Sequence, residues 1–439
     1  MKKIILICAS VMIAAGCSSD ETAGALSSLK LNESSVSLSV GDTYQLIVTT
    51  NLDDANIRVT WGSSDKNVAT VDNSGLVTGT GPGTAVITAS SGNYKDTCSV
   101  TIETPGPYDA TAALASGANA GIIFSRDVLQ FSSSRIMQGF DITPSGNIYY
   151  SQLNSATTVN VCRATGPNQN TIEYMHLNNF GHGTQIVAEE ASDGKTYIWV
   201  NSNGTIDANG ESVNNRSFSR VEFKARATYN NYAGDTFILN KNSNNQVDQQ
   251  VAIDFATRRL LVVGRQSGIR YHWIFDLDEA MALTPKTMSV SLNDGSGTIS
   301  RSLTARDLNE CTVLASFTLS QGTNKETDVW SYSHQGHELH GDYVYFYEGA
   351  VETLATDSFR SKGYVTVLDL KGKIAVPRTE VAAISDLVGL KTTGLTTTGY
   401  AEPESIKVKN GKLYVGAACR NASGSTRRAT IFVYDCVQK

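Results

Sequence analysis

The sequence predicts an all-β protein of two parts, a small β-sandwich followed by a larger ring of repeated sheets. Three observations carry that prediction. Short runs rich in Val, Ile, Thr and Tyr alternate with Gly, Asn, Asp and Ser along most of the chain, which has 37 glycines in 439 residues and few long apolar runs. Helical periodicity is confined to Asp276 to Leu283 and Thr379 to Leu390. A five-residue pattern returns five times after Thr111, each time ahead of an apolar strand.

The chain opens with Met1-Lys2-Lys3, runs uncharged from Ile4 to Ala15 and meets Gly16-Cys17. A basic start, a short apolar stretch and small residues before a cysteine make a secretory signal peptide, and the stretch is too short to span a bilayer. Ala14-Ala15-Gly16-Cys17 resembles the bacterial lipoprotein box, with Ala14 where that box prefers Leu. The resemblance implies that residues 1–16 are a removable lipoprotein signal and that Cys17 becomes the acylated first residue. More than one lipid chain there suffices for stable anchoring. Residues 17–25 read as a polar tether. Its Ser18-Ser19-Asp20-Glu21-Thr22 resembles the acidic signals that send lipoproteins of some Gram-negative gut bacteria to the outer face. The expected location is the cell envelope, lipid-anchored on the outer membrane and facing outside.

Charged residues make up 18% of the chain and the formal net charge is -6. With no basic cluster, this argues against a nucleic-acid partner held through phosphates. Beyond Cys8 in the signal and Cys17, the cysteines are Cys98, Cys162, Cys311, Cys419 and Cys436. They are odd in number, scattered and without C-x-x-C spacing, so neither a disulfide framework nor a zinc site is indicated. They read as buried small apolar residues.

Residues 26–103 hold seven or eight short strand-like runs, separated by Gly41-Asp42, Asp72-Asn73-Ser74-Gly75 and Gly81-Pro82-Gly83. That density fits an immunoglobulin-like sandwich. Trp61-Gly62-Ser63-Ser64-Asp65, Val68-Ala69-Thr70-Val71-Asp72, Gly75-Leu76-Val77-Thr78-Gly79 and Gly83-Thr84-Ala85-Val86-Ile87-Thr88-Ala89 resemble, in order, the bacterial immunoglobulin-like group 2 family. The resemblance implies a spacer or adhesion module, and Trp61 reads as a core residue. Residues 104–110 form a linker in which Pro105 and Pro107 interrupt pairing.

Residues 111–439 carry the repeat. Its copies are Gln138-Gly139-Phe140-Asp141-Ile142, His182-Gly183-Thr184-Gln185-Ile186, Gln249-Gln250-Val251-Ala252-Ile253, Gln335-Gly336-His337-Glu338-Leu339 and Glu402-Pro403-Glu404-Ser405-Ile406. Each precedes a turn and a Tyr- or Val-rich strand, which points to a five-bladed β-propeller. The 38 residues from Glu402 to the end and the 27 from Thr111 to Met137 together make about one blade, so the first segment is expected to complete the last blade and cover its edge. Met137-Gln138-Gly139-Phe140, Asn147-Ile148-Tyr149-Tyr150-Ser151-Gln152, His182-Gly183-Thr184-Gln185 and Tyr197-Ile198-Trp199-Val200 resemble the propeller shared by helveticin J-type bacteriocins, teichoic-acid biosynthesis protein C and certain phage receptor-binding proteins. Ser405 stands where that family usually has Gly. The resemblance implies binding at cell surfaces or cell walls.

If the repeated polar positions start the innermost strands, Gln138, His182, Gln249, Gln335 and Glu402 converge on one axis, with His337, Glu338 and Glu404 beside them. Such a ring either satisfies neighbouring blades by hydrogen bonding or binds a polar ligand or a hard cation such as Ca2+. His334 and His340 are expected on one face of a strand and His337 on the other, against a transition-metal site. Tyr229, Tyr232, Tyr271 and Trp273 are candidates for stacking on sugars or for packing. Nucleophile-elbow, H-E-x-x-H and P-loop patterns are missing, and no catalytic residue is assigned. The leading expectation is a surface-anchored binding or adhesion lipoprotein whose partner is a glycan, a cell-wall polymer or a surface protein. The alternative is a metal-assisted hydrolase, lactonase-like or glycan-cleaving, which requires close carboxylates in the channel.

Overall fold

A computed structural model describes residues 26–439 apart from 53–56, 104–105, 117–120, 128–136, 166–170, 207–211, 214, 240–246, 294–297, 354–358, 386–399 and 421–426. Cys17 and the segments expected to be signal and tether lie outside the described residues. The chain divides into two compact units, Met1–Thr104 and Pro105–Lys439.

The first unit is an immunoglobulin-like sandwich. One sheet has the order Ser35–Ser39, Tyr94–Glu103, Gly83–Ser91, Thr60–Ser63, and the other Thr43–Gln45, Leu76–Gly79, Ala69–Val71. Alternation along Gly83–Ser91 sends Ala85, Ile87 and Ala89 inward, where the first two meet Leu46, Val77 and Val100. The Asp72 turn forms because Asp72 Oδ1 accepts the N–H groups of Ser74 and Leu76 at 2.8 and 2.9 Å. Gly75 closes it at φ 85°, where a Cβ would come within 2.5 Å of the Trp61 ring. Trp61 packs against this core and Cys98 is buried within it.

The second unit is a five-bladed propeller. Its blades start with the inner strands Met137–Ile142, Ile186–Glu190, Val247–Asp254, Ser333–His340 and Tyr400–Lys409. Each inner strand contacts that of the next blade, and the fifth contacts the first. The core has the same cyclic form. Tyr149 and Val161 of blade one pack on Ile198 and Val200 of blade two, and Trp199 and Phe237 of blade two pack on Val262 and Phe275 of blade three. Leu261 and Ile274 of blade three meet Val344 and Leu368 of blade four, and Tyr345 and Val367 of blade four meet Ile406 and Val415 of blade five. Ile431 of blade five returns to Phe140 and Tyr150 of blade one. The second strands of blades one and three are buried on both faces along most of their length, which is why Leu260-Leu261-Val262-Val263 reads as a continuous apolar run.

Gly121–Asp127 pairs antiparallel with Arg427–Asp435 and is the outermost strand of blade five. Tyr108–Asp109 also pairs with Val437–Gln438, so the two ends of the unit meet. The unequal repeat spacing has a local cause. The hairpin Lys286–Asn293 and Thr298–Asp307 is inserted into blade three and joins the edge of blade two, where Phe237 pairs with Arg306.

The short helix Leu277–Ala282 lies where periodicity placed it, capped by Asp276 Oδ1 on the Glu279 N–H at 2.8 Å. The second expected helix is smaller than its periodicity suggests. Ile374–Glu380 is the edge strand of blade four, and only Ala382–Ser385 is helical before the described residues stop. Thr111–Ser116 forms a helix that the pattern did not reveal. Among the described residues Cys98, Cys162, Cys311, Cys419 and Cys436 form no disulfide; the first four are buried and Cys436 is half-buried.

Phe124 of the closing strand is 4% exposed, and its ring lies 5.4 Å from that of Tyr150 in blade one. Phe124→Ala is expected to destabilise the propeller by about 3–5 kcal/mol while leaving the sandwich transition unchanged, as read by calorimetry with both transitions resolved.

Candidate functional site

The repeated motif is where the inner strands bulge. Ladder pairing skips Gln138 in blade one, Gln249 with Asp248 in blade three, Gln335 in blade four, and Glu404 with Ser405 in blade five. In blade two the motif runs into the start of the strand at Ile186. A bulge bends its strand and re-aims side chains, so the first motif residue does not simply point down the axis. The small second position follows from close approach between neighbouring strands. A Cβ on Gly139 would lie 3.1 Å from Gly183 O, and one on Gly336 would lie 2.8 Å from Ser405 Cα. Ser405 itself sits at φ 67°, the left-handed backbone that accounts for the Gly usual at this position.

The axis is filled by charge and amide groups from all five blades. Lys407 Nζ lies 2.8 Å from Glu338 Oε2, both fully buried. Lys409 Nζ reaches Asp141 Oδ1 at 3.2 Å and Glu338 Oε1 at 3.7 Å. Asp141 Oδ2 in turn accepts the Ala188 N–H of blade two at 2.8 Å. Gln185 Nε2 crosses from blade two to His337 O of blade four at 2.7 Å, and Gln250 Nε2 donates to Thr184 Oγ1 at 2.6 Å. Burial pushes the Glu338 carboxyl up against the pull of Lys407 and Lys409. For Lys409 burial acts downward, but Asp141 and Glu338 outweigh it and raise the ammonium.

The expected ring of five polar residues does not assemble as such. Gln249 turns both ends of its amide onto the Leu239 backbone, at 3.2 and 2.7 Å. Gln335 donates to Gly349 O at 3.3 Å within its own blade. Gln138 reaches Glu404 Oε1 at 3.5 Å. Burial raises Glu404 well above the ordinary carboxyl range, with the nearby Glu402 charge adding to the effect. Glu402 is raised by burial too, against Arg420 and Arg427. His182 lines an open cavity.

The histidine geometry also differs from strict alternation. The bulge at Gln335 brings His334 and His337 together, with His337 Nδ1 3.3 Å from His334 Nε2. His340 goes to the other end of the strand and stacks on Tyr108 at 5.0 Å. Burial keeps His334 and His337 far below the ordinary imidazole range. Among the described residues, no group of three or more His, Cys, Asp or Glu side chains converges as a metal ion requires. Tyr271 stacks on Trp273 at 5.6 Å inside the layer between blades two and three, and Tyr229 and Tyr232 also pack on buried clusters. These aromatic residues are packing groups.

Two mouths flank the plugged axis. At the C-terminal ends of the inner strands, a cavity of about 830 Å³ is lined by Glu189, Tyr197, Arg220, Asp254 and Lys409 among others. Its charges are already engaged. Glu189 takes both Arg220 and the Trp199 indole, Asp254 Oδ2 accepts the Gly341 N–H at 2.7 Å, and Arg220 lies 3.4 Å over the Tyr197 ring.

At the N-terminal ends, a polar cavity of about 590 Å³ is lined by His182, Asn201, Gln250, Arg270, Trp330 and His334 among others. Here hydrogen-bonding capacity is left over. Asn201 Oδ1, Gln250 Oε1, and Arg270 Nε and Nη1 are buried without a partner among the described residues. The Arg270 guanidinium lies 5.1 Å over the Trp330 ring. Trp330 is held at φ 59°, a strained backbone for an aromatic residue. The buried Glu348 carboxylate holds it there by accepting the N–H groups of Trp330, Ser331 and Tyr332 at 3.1, 2.7 and 2.8 Å, together with Arg378 Nε at 2.8 Å.

Residues 136–273 match the model of the phage 5-bladed beta propeller receptor binding platform domain, and residues 25–102 match that of the bacterial Ig-like domain (group 2). A group 2 Ig-like domain precedes a propeller of the phage receptor-binding type. A lacto-N-biosidase of Bifidobacterium bifidum is 44% identical over 82 residues, 17% of this chain, and the chain spans only 7% of that protein's length. Among solved structures, the α-L-arabinofuranosidase PaAbf62A of Podospora anserina aligns over 72% of this chain and 96% of its own, at 8% identity and TM-score 0.33. An α-L-arabinanase of Penicillium chrysogenum aligns over 72% and 97%, at 12% identity and TM-score 0.28. Likeness at that level carries no inference about activity.

Removing one partner of the axial pair strands the other. Lys407→Met is expected to destabilise the propeller by about 3–5 kcal/mol, while Lys407→Met with Glu338→Leu recovers most of that loss. Denaturant unfolding of the three proteins checks this.

Proposed function

We propose that the propeller is a binding module for a hydroxyl-rich polymer, a glycan or cell-wall polymer, taken up at the N-terminal mouth. The observation that carries this reading is the unspent hydrogen-bonding capacity there. Buried polar atoms are normally paired, and Asn201 Oδ1 and Gln250 Oε1 are acceptors on residues that line a cavity of about 590 Å³. Sugar hydroxyls are the donors that fit them. Receptor binding is also what the matched propeller family is named for. The hydrolase alternative needs two carboxyl groups facing a substrate. In this mouth Asp248 is the one carboxylate among the described lining residues, and Arg265 occupies it at 2.7 Å.

In the same proposal the lipid on Cys17 holds the protein on the outer membrane, residues 17–25 act as tether, and the Ig-like unit serves as spacer or adhesion module. The partner is then an extracellular polymer or a surface protein that carries one.

The full chain, solubilised in detergent, is expected to be retained on at least one polysaccharide of a glycan array. Ser333→Trp, which fills the N-terminal mouth from an exposed position, weakens that retention by about tenfold or more. Pro144→Trp, in the opposite mouth, leaves it unchanged. Retention of no polysaccharide, or loss with Pro144→Trp alone, contradicts the proposal. Separately, cells fed a labelled fatty acid are expected to label the wild-type chain and not Cys17→Ala; equal labelling of both rejects the anchor.

A further inference from the structure

We infer that the N-terminal mouth selects an anionic sugar, one bearing a carboxylate or a phosphate ester, with its acidic group seated on Arg270. This deepens the reading of that mouth as the binding site and rests on it. A guanidinium carries five donors in a planar fork, and one that is 8% exposed ordinarily spends them on carboxylates or carbonyls. Here Nε and Nη1 are buried with no partner among the described residues. The one carboxylate among the described lining residues, Asp248, accepts at Oδ2 from both Nε and Nη2 of Arg265, at 2.9 and 2.7 Å.

Among the described residues no carboxylate pairs with Arg270, which sits in a partly desolvated site. Burial pushes its guanidinium down to about 10, with Asp248 offsetting this in part, so it remains protonated at neutral pH. Its guanidinium lies over the Trp330 ring, and Arg270 lines the cavity. Position is enforced from below by the Glu348 carboxylate, which fixes the strained Trp330 backbone through three N–H groups. A guanidinium held in place suits the oxygens of an oxyanion, to which its hydrogen bonds are charge-assisted. The acceptors Asn201 Oδ1 and Gln250 Oε1 line the same cavity and would take hydroxyl donors from the same molecule. A simple anion would leave those acceptors idle, and a neutral sugar would leave Arg270 idle. The chain's formal charge of -6 opposes non-specific collection of anions, so selectivity has to come from this site.

The test measures binding of the full chain in detergent to polygalacturonate, to a poly(glycerol phosphate) and to neutral dextran at one ionic strength. Tighter binding of one charged polymer than of dextran, by about tenfold or more, is expected, and which one binds tells carboxylate from phosphate. Arg270→Gln is expected to remove that preference, a loss on the order of 10- to 100-fold for a charge-assisted contact. Arg270→Lys retains charge without the fork and recovers only part of it. On the wild-type protein, glucuronate or glycerol phosphate competes for the site and glucose does not, a readout that stands even if the variants unfold. Binding of dextran as tight as that of the charged polymers, or charged-polymer binding unaffected by Arg270→Gln or by the acidic competitors, overturns the inference while leaving the glycan-binding reading intact. Binding of none of the three, with retention of no polysaccharide on the array, overturns both.

Discussion

The pair Lys407–Glu338, closed off from water at the centre of the ring, is the constraint on which the propeller depends. Moving two such ions out of water costs several kcal/mol each, and only good geometry with further partners offsets that. Lys409, Asp141 and the Ala188 N–H supply those partners, so that blades four, five, one and two are tied through one chain of charges. Gln185 adds the stitch from blade two to blade four. Five wedge-shaped sheets packed only by their apolar faces would leave a polar hole where the inner strands converge. The axial network fills it and fixes the register of the bulged segments around it.

That arrangement separates the molecule's two mouths by chemistry as well as by position. The C-terminal mouth is wide, but its acids and bases neutralise one another. The N-terminal mouth borders the bulges, where strands leave regular pairing, and there Asn201, Gln250 and Arg270 keep donors and acceptors unspent among the described residues. Strain at Trp330 is maintained by Glu348 rather than relieved, which is the pattern of a site organised for a ligand.

Much of the architecture was legible because repetition is visible without side-chain geometry. The five motif copies marked the five inner strands, and the split between Thr111 to Met137 and the last blade anticipated the closing strand Gly121–Asp127. The site was less legible, for a physical reason. Ile406-Lys407-Val408-Lys409 has the alternation of a strand with one wet face, and only ring closure turns both lysines toward the axis. Arg270 is hidden in the same way inside Ile269-Arg270-Tyr271. Asp141 and Glu338 occupy the fourth position of the motif, so two acids at an otherwise mixed position were the available signal. Gln249 and Gln335 misled because a bulge skips the first motif residue and returns its amide to nearby backbone. The same kind of bulge, not alternation, decides that His334 meets His337.

Amide hydrogen exchange on the full chain, with and without a polymer that it retains, tests the central claim most directly. If the N-terminal mouth is the binding site, the ligand slows exchange in segments 265–272 and 328–334, while 188–197 and 338–341 at the opposite mouth stay unchanged. Protection confined to the opposite mouth, or to residues 26–103, would contradict the account.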